Sequence, residues 1–141
     1  MTWKKVLALV TIPVILAIAG GWIYLQLAYA RIERLTERYG PLLTSAIARD
    51  IVDVKRSPVN GLGDPKLEYF KVFEYTQTRA QVFVVTRFEI ETPGSSTYER
   101  TGEFYKFVLE NGTWRVDTSN SPEVVWSRFG SADGQTWPPY R

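Results

Sequence analysis

"YKFVLENGTWRVD", Tyr105 to Asp117, decides the fold of this 141-residue chain. At its centre Asn111-Gly112 offers the two residue types that most readily take the positive φ angles of a type I′ hairpin turn. A two-residue turn there fixes the pairing: Leu109 falls opposite Trp114, Phe107 opposite Val116, and Lys106 opposite Asp117. Two apolar pairs then share one face and an opposite-charge pair takes the other, as a stable antiparallel pair requires. Asn111-Gly112-Thr113 also matches an N-glycosylation sequon, but the turn accounts for it without a glycan.

Upstream, "RAQVFVVTRFEIE" (79–91) alternates, with Ala80, Val82, Val84, Thr86, Phe88 and Ile90 on one face. Reading Pro93–Ser96 as a four-residue loop pairs Val82 with Phe107, Val84 with Tyr105 and Glu89 with Arg100. That register turns the apolar face of the strand to the core side, and a slip by one residue would invert it. "LEYFKVFEYTQ" (67–77) supplies a further aromatic-rich strand. Ahead of it, Leu42–Val54 carries Leu43, Ile47, Ala48, Ile51 and Val54 at helical spacing, and a cluster of Pro, Gly and Asn between 57 and 65 separates helix from sheet. After the hairpin, Ser121-Pro122-Glu123 has the N-cap and first-turn chemistry of a short C-terminal helix. The expected fold is therefore α+β: an antiparallel meander of about four strands with one or two helices against it.

Helix, breaker loop and antiparallel strands ending in "YKFVLENGTWRVD" resemble the NTF2-like (cystatin-like) superfamily over roughly residues 41–118. The resemblance implies a curved sheet over a helix. It also implies, for a membrane-tethered member, service as a subunit of a larger assembly, or alternatively a small-ligand-binding domain with an Asp or Tyr facing an apolar pocket.

Before the domain, Val6–Leu25 reads VLALVTIPVILAIAGGWIYL, and the uncharged run continues to Ala30. Twenty helical residues rise about 30 Å, the thickness of the hydrocarbon core. Ala28-Tyr29-Ala30 has the form of a signal-peptidase site, so a cleaved signal is the competing reading. The run is longer than a secretory h-region, and the helix-forming Arg31–Arg38 follows without a break. The favoured expectation is a retained single-pass anchor, helical from about Trp3 to Tyr39 and ended by Gly40-Pro41. Lys4 and Lys5 before it favour a cytoplasmic N-terminus and an extracytoplasmic domain, although Arg31, Arg34 and Arg38 weigh the other way. Pro13, Ala17, Gly20, Gly21, Tyr24 and Ala28 fall along one side of this helix, the side expected to pack on other membrane helices. Leu7, Val14, Ile18 and Leu25 suit lipid. The division expected is anchor and extension 1–39, domain 40–128 and tail 129–141. In the tail, Trp137 and Tyr140 are read as a docking strap, on this domain or on a partner.

The remaining residues name no chemistry. The chain has no Cys and no His, which removes thiolate catalysis, the commonest general base and the commonest metal ligand. From Arg31 onward 15 Lys/Arg balance 15 Asp/Glu, without the basic excess of a nucleic-acid binder. Asp50 and Asp53, beside Arg49, Lys55 and Arg56, read as a solvated helix face; Tyr69, Tyr75, Tyr98 and Tyr105 read as core or interface. Gly61-Leu62-Gly63 lacks the context of a phosphate loop. No catalytic, metal or cofactor residues are expected. The functional expectation is a non-catalytic accessory subunit whose partners are the bilayer and other subunits of a membrane complex, with a tethered assembly factor as the alternative. Respiratory or photosynthetic electron transfer would suit such a subunit, but no residue selects it.

Overall fold

The computed structural model describes residues 2–56, 63–119 and 123–124. The chain divides into two compact units, Met1–Arg31 and Ile32–Arg141. Within the first, the helix is long and apolar enough to cross a membrane, and its most apolar stretch is not buried by the chain itself.

Helix α1 spans Trp3–Ile47, a π-helical turn covers Ala48–Val52, and α2 is the short Asp53–Lys55. Gly40-Pro41 therefore does not stop the helix, contrary to the sequence reading. Pro41 withholds a backbone donor from the preceding turn, at a cost of roughly 3 kcal/mol. The wholly buried side chains of Leu43 and Ile47 recover that cost at about 1.5–3 kcal/mol each. Gly40 serves packing here: a Cβ on it would stand 3.3 Å from the Phe70 ring. The turns before Gly40 belong to the domain as well. Leu35 packs on the core, Thr36 Oγ1 accepts the Val72 N–H at 2.9 Å, and the Tyr39 ring stacks on Tyr75 at 3.8 Å. The compact domain thus begins at Ile32, where the sequence places its start at Gly40.

The sheet runs in the order β1 (Lys66–Tyr75), β2 (Arg79–Thr92), β3 (Ser95–Glu110) and β4 (Thr113–Val116), all antiparallel. The Asn-Gly hairpin is as read. Asn111 and Gly112 have φ of 51° and 76°, Leu109 pairs with Trp114 and Phe107 with Val116, and the Asp117 N–H donates to the Lys106 carbonyl at 2.7 Å. The β2–β3 register differs. Thr92 pairs with Ser95, so Pro93-Gly94 alone makes the turn, with Gly94 at φ 89°. Pro followed by a Gly of positive φ is the type II signature. Val82 accordingly meets Tyr105, Val84 meets Glu103, and Arg100 meets Arg87. The offset from the expected pairing is two residues, which preserves the face of every side chain. A second correction falls at Glu123–Val124, which forms β5 and pairs with Glu103–Phe104 on β3 rather than starting a helix. β4 ends at Val116 and leaves those β3 backbone groups open to another strand. Ser121 and Pro122 lie outside the described residues.

The main core lies between helix and sheet. Leu43, Ala46, Ile47 and Ile51 cover Val72, Val82, Val84 and Phe107, with Trp114 at the margin. Val54 and Ala48, expected on the buried face, are exposed, and Val52 is buried instead. For Val52 and Val54 the π turn is the reason. Its i→i+5 bonding takes in an extra residue and carries the inward face past Val54. The opposite face of the sheet is also apolar: Phe83 and Val85 are wholly buried among Tyr69, Phe73 and Phe104.

Candidate functional site

The π turn determines which polar groups meet the sheet. Beyond it, Lys55 faces β2 and β3 where Thr86 and Thr101 stand opposite each other. These short side chains leave room for the lysine stem. Lys55 Nζ donates to Glu103 Oε2 at 2.5 Å and to Thr86 Oγ1 at 3.1 Å, and lies 3.5 Å from Thr101 Oγ1. The two threonine hydroxyls are 2.8 Å apart. Tyr105 donates its hydroxyl to the same Glu103 oxygen, and the Lys55 ammonium lies 5.9 Å from the Tyr105 ring centre. Burial first, then the hydrogen bond and charge of Glu103, push the Tyr105 hydroxyl well above its usual range. It is therefore a phenol, a donor, at any physiological pH. An ammonium has three donors, and Glu103, Thr86 and Thr101 occupy those directions. The cluster neutralises itself and ties the end of the helical segment to the sheet.

One turn earlier, Arg49 and Asp50 close the outer edge of β4. Arg49 donates Nε to Asp50 Oδ1 at 2.6 Å and Nη2 to Oδ2 at 3.0 Å, and Nη2 also donates to the Trp114 carbonyl at 2.7 Å. The Val116 N–H donates to Asp50 Oδ2 at 3.1 Å. The ion pair thus satisfies two backbone groups that an edge strand would otherwise present to another chain. This corrects the reading of Asp50 as part of a solvated face, because the π turn swings it onto β4. Its hydrogen bond to Arg49, aided by the Val116 N–H and the nearby Arg115, holds its carboxyl below the usual carboxylate range. Asp53 is exposed, as read.

A cavity of about 490 Å³ lies at the hairpin end of the sheet, bordered by Glu74, Thr76, Arg79, Gln81, Lys106 and Asp117. Its two acids and two bases balance. Among the described residues, no three His, Cys, Asp or Glu side chains cluster as metal ligands.

Of the residues singled out for helix packing, Pro13, Ala17, Gly20, Gly21 and Tyr24 are exposed and Ala28 is partly so. A Cβ on Gly20 or Gly21 would meet nothing within 4 Å. Trp137 and Tyr140 lie outside the described residues. Tyr75 and Tyr105 border the main core, and Tyr69 the second cluster. Tyr98 is exposed, with the guanidinium carbons of Arg87 and Arg100 at 5.5 and 5.1 Å from its ring centre. The Lys55–Glu103 pair was missed by the sequence reading. One available signal was Thr86, a polar residue on the apolar side of an alternating strand, which at 0% exposure needs a partner. No family model, curated protein or solved structure matches this chain.

Proposed function

We propose that this chain is a non-catalytic, single-pass accessory subunit of a larger membrane complex, with its N-terminus cytoplasmic and its α+β domain on the other side. The observation that carries the reading is the apolar surface between Trp3 and Tyr24. Leu9, Leu16, Ile18 and Trp22 are each more than 60% exposed, on a helix of spanning length. Such surface costs about 25 cal/mol per Å² in water and nothing comparable in lipid or against another helix. The self-neutralising Lys55 and Asp50 clusters suit a domain whose polar groups hold structure. A tethered assembly factor would share this anatomy and differ in stoichiometry. A small-ligand domain of NTF2-like type would need an open chamber between helix and sheet, where Leu43, Ile47 and Ile51 pack directly on the strands.

Mild-detergent extraction followed by mass spectrometry tests the proposal. Other membrane subunits should co-purify in fixed ratio, whereas an assembly factor would be substoichiometric. Release of the chain by alkaline wash without detergent would refute the anchor. In lipid, helix association depends on close backbone approach at small residues. Gly21→Leu should therefore release the chain from its partners without unfolding the domain. Full co-purification of Gly21→Leu, with loss of Val14→Phe, would reverse the assigned face.

A further inference from the structure

The turns of α1 from Ile32 to Leu43 carry two different surfaces. Leu35, Thr36, Tyr39 and Leu43 belong to the domain: Leu35 and Leu43 pack in the core, Thr36 accepts the Val72 N–H, and the Tyr39 ring stacks on Tyr75. Arg34 and Arg38 are both exposed. With about 3.6 residues per turn they share one side of the helix, and it is the side turned away from those four. The nearby acids do not neutralise them. Glu33 is held by Lys71 at 2.5 Å, and among the described residues neither arginine forms an ion pair, Glu37 included. Like charges one turn apart repel each other, so the pair has no local reason to persist. Arg38 is nonetheless held in place. Its guanidinium carbon lies 5.3 Å from the centre of the Tyr39 ring, which Tyr75 fixes from the other side. A guanidinium seated on a ring keeps its planar N–H fork for an oxyanion.

We propose that Arg34 and Arg38 form a stripe that binds the phosphate groups of anionic phospholipids. The inference rests on the reading of α1 as a membrane anchor. Position comes first. The uncharged run ends at Ala30, and Arg34 and Arg38 follow roughly 6 and 12 Å further along the helix. A headgroup layer is about 5–8 Å thick on each side of the hydrocarbon core. Helical side chains lean towards the N-terminus, here towards the bilayer, and the long arginine stem carries its charge back to the interface. Both guanidinium groups therefore reach the depth at which phosphates lie. Charge is the second argument. Each fork matches a phosphate bidentately, and Lys71 neutralises Glu33, the acid that would otherwise repel a headgroup. Access is the third, since the domain packs on the other side of these turns. An acidic segment of another subunit offers the same charge but must displace headgroups to reach this depth.

The full chain is reconstituted in nanodiscs of equal phosphatidylglycerol and phosphatidylcholine, and native mass spectrometry reads the lipids it retains. Each basic residue near an anionic surface favours binding by about fivefold. The ratio of phosphatidylglycerol to phosphatidylcholine retained should therefore fall at least about tenfold in Arg34→Gln with Arg38→Gln. Arg79→Gln with Lys106→Gln, which removes the same charge from exposed sheet positions, should leave the ratio unchanged. An equal fall in both double variants would reduce the effect to bulk charge and overturn the stripe. A parent that enters the discs but retains both lipids equally overturns the stripe and leaves the anchor standing; a chain recovered outside the discs refutes both. Unchanged lipid retention by the Arg34/Arg38 variant, with loss of co-purifying subunits, would assign the arginines to an acidic partner and overturn the proposal. A second measurement needs no variant. Phosphatidylglycerol with a photoreactive headgroup should crosslink to the unaltered chain within residues 31–42, and crosslinks confined to other regions would count against the stripe.

Discussion

On one face of the sheet, Val72, Val82, Val84 and Phe107 lie beneath Leu43, Ile47 and Ile51 of the helical segment; on the other, Phe83 and Val85 lie among the rings of Tyr69, Phe73 and Phe104. The helix face is aliphatic at its centre and is bounded by charged groups whose partners lie within the domain. Lys55 and Glu103 are tied to Thr86 and Tyr105, and Arg49 and Asp50 to the β4 backbone. The second face is aromatic and has no comparable tie between an overlying helix and the strands among the described residues. Its ion pairs join strands within the sheet, Arg100 of β3 with Glu68 of β1 and Lys66 of β1 with Glu89 of β2. The difference teaches that β2 is a two-sided core strand, although it sits in an antiparallel meander where one wet face is common.

The largest effects should come from removing one large ring from each face. Phe107→Ala on the helix face should cost about 3–5 kcal/mol, against a total domain stability of only about 5–15 kcal/mol. Phe83→Ala should cost a similar amount, because both side chains are 0% exposed. Urea unfolding in detergent, followed by far-ultraviolet circular dichroism, measures both. If Phe83→Ala cost under about 1 kcal/mol while Phe107→Ala unfolded the domain, the second face would be a surface and not a core.

These faces were unequally legible in the sequence. The helix face was legible because Leu43, Ile47 and Ile51 repeat at helical spacing while Ala80, Val82 and Val84 repeat at spacing two. The second face was hidden by that same alternation. Once Val82 and Val84 are assigned inward, Phe83 and Val85 fall by default on the outside, yet the unbroken run Val82-Phe83-Val84-Val85 is what a doubly buried strand looks like. Asn111-Gly112 set its hairpin correctly because its chemistry selects one turn type. Pro93-Gly94 misled because a two-residue and a four-residue loop preserve the same side-chain faces, so alternation cannot tell them apart. Gly40-Pro41 misled because a local stop signal was outweighed by burial against strands about thirty residues further on. The polar cluster needs contacts between Lys55 and residues 31 and 48 positions away, which no local pattern encodes.

A smaller effect should sharpen the contrast at the sheet edge. Asp50→Asn replaces a carboxylate that accepts from Arg49 and from the Val116 N–H. At pH 7 the loss should be about 1.5–3 kcal/mol, the range for hydrogen bonds to charged groups. The sign with pH follows from the lowered carboxyl of Asp50 in the folded chain. Its contribution is complete above the ordinary carboxylate range, near pH 4. It fades as pH falls through that range towards the lower folded value. The parent and the Asn variant should therefore converge in stability as the solution is acidified. A gap that stayed constant down to about pH 2 would mean that Asp50 acts through shape and not through charge.

The smallest expected effect belongs to the hydroxyl of Tyr105. In Tyr105→Phe the ring still fills its place beside Val82, its cross-strand partner. Glu103 keeps Lys55 and loses one donor. The cost at pH 7 should be about 1.5 kcal/mol, the low end for a hydrogen bond to a charged group, because Glu103 keeps its Lys55 partner. Its pH dependence runs opposite to that of Asp50. The folded phenol is raised above its ordinary value near 10, so its stabilisation is complete below that value. It is lost above it, where the unfolded chain releases a proton that the folded chain retains. The parent should lose up to about 1.4 kcal/mol per pH unit on this account above pH 10. The Phe variant should lack that component and close the gap in alkali. Should parent and variant decline in parallel above pH 10, Tyr105 would be ionising as freely when folded as when unfolded. The helix face would then be as open to water at that point as an ordinary solvated sheet face, and the contrast between the two faces would rest on Phe83 and its neighbours alone.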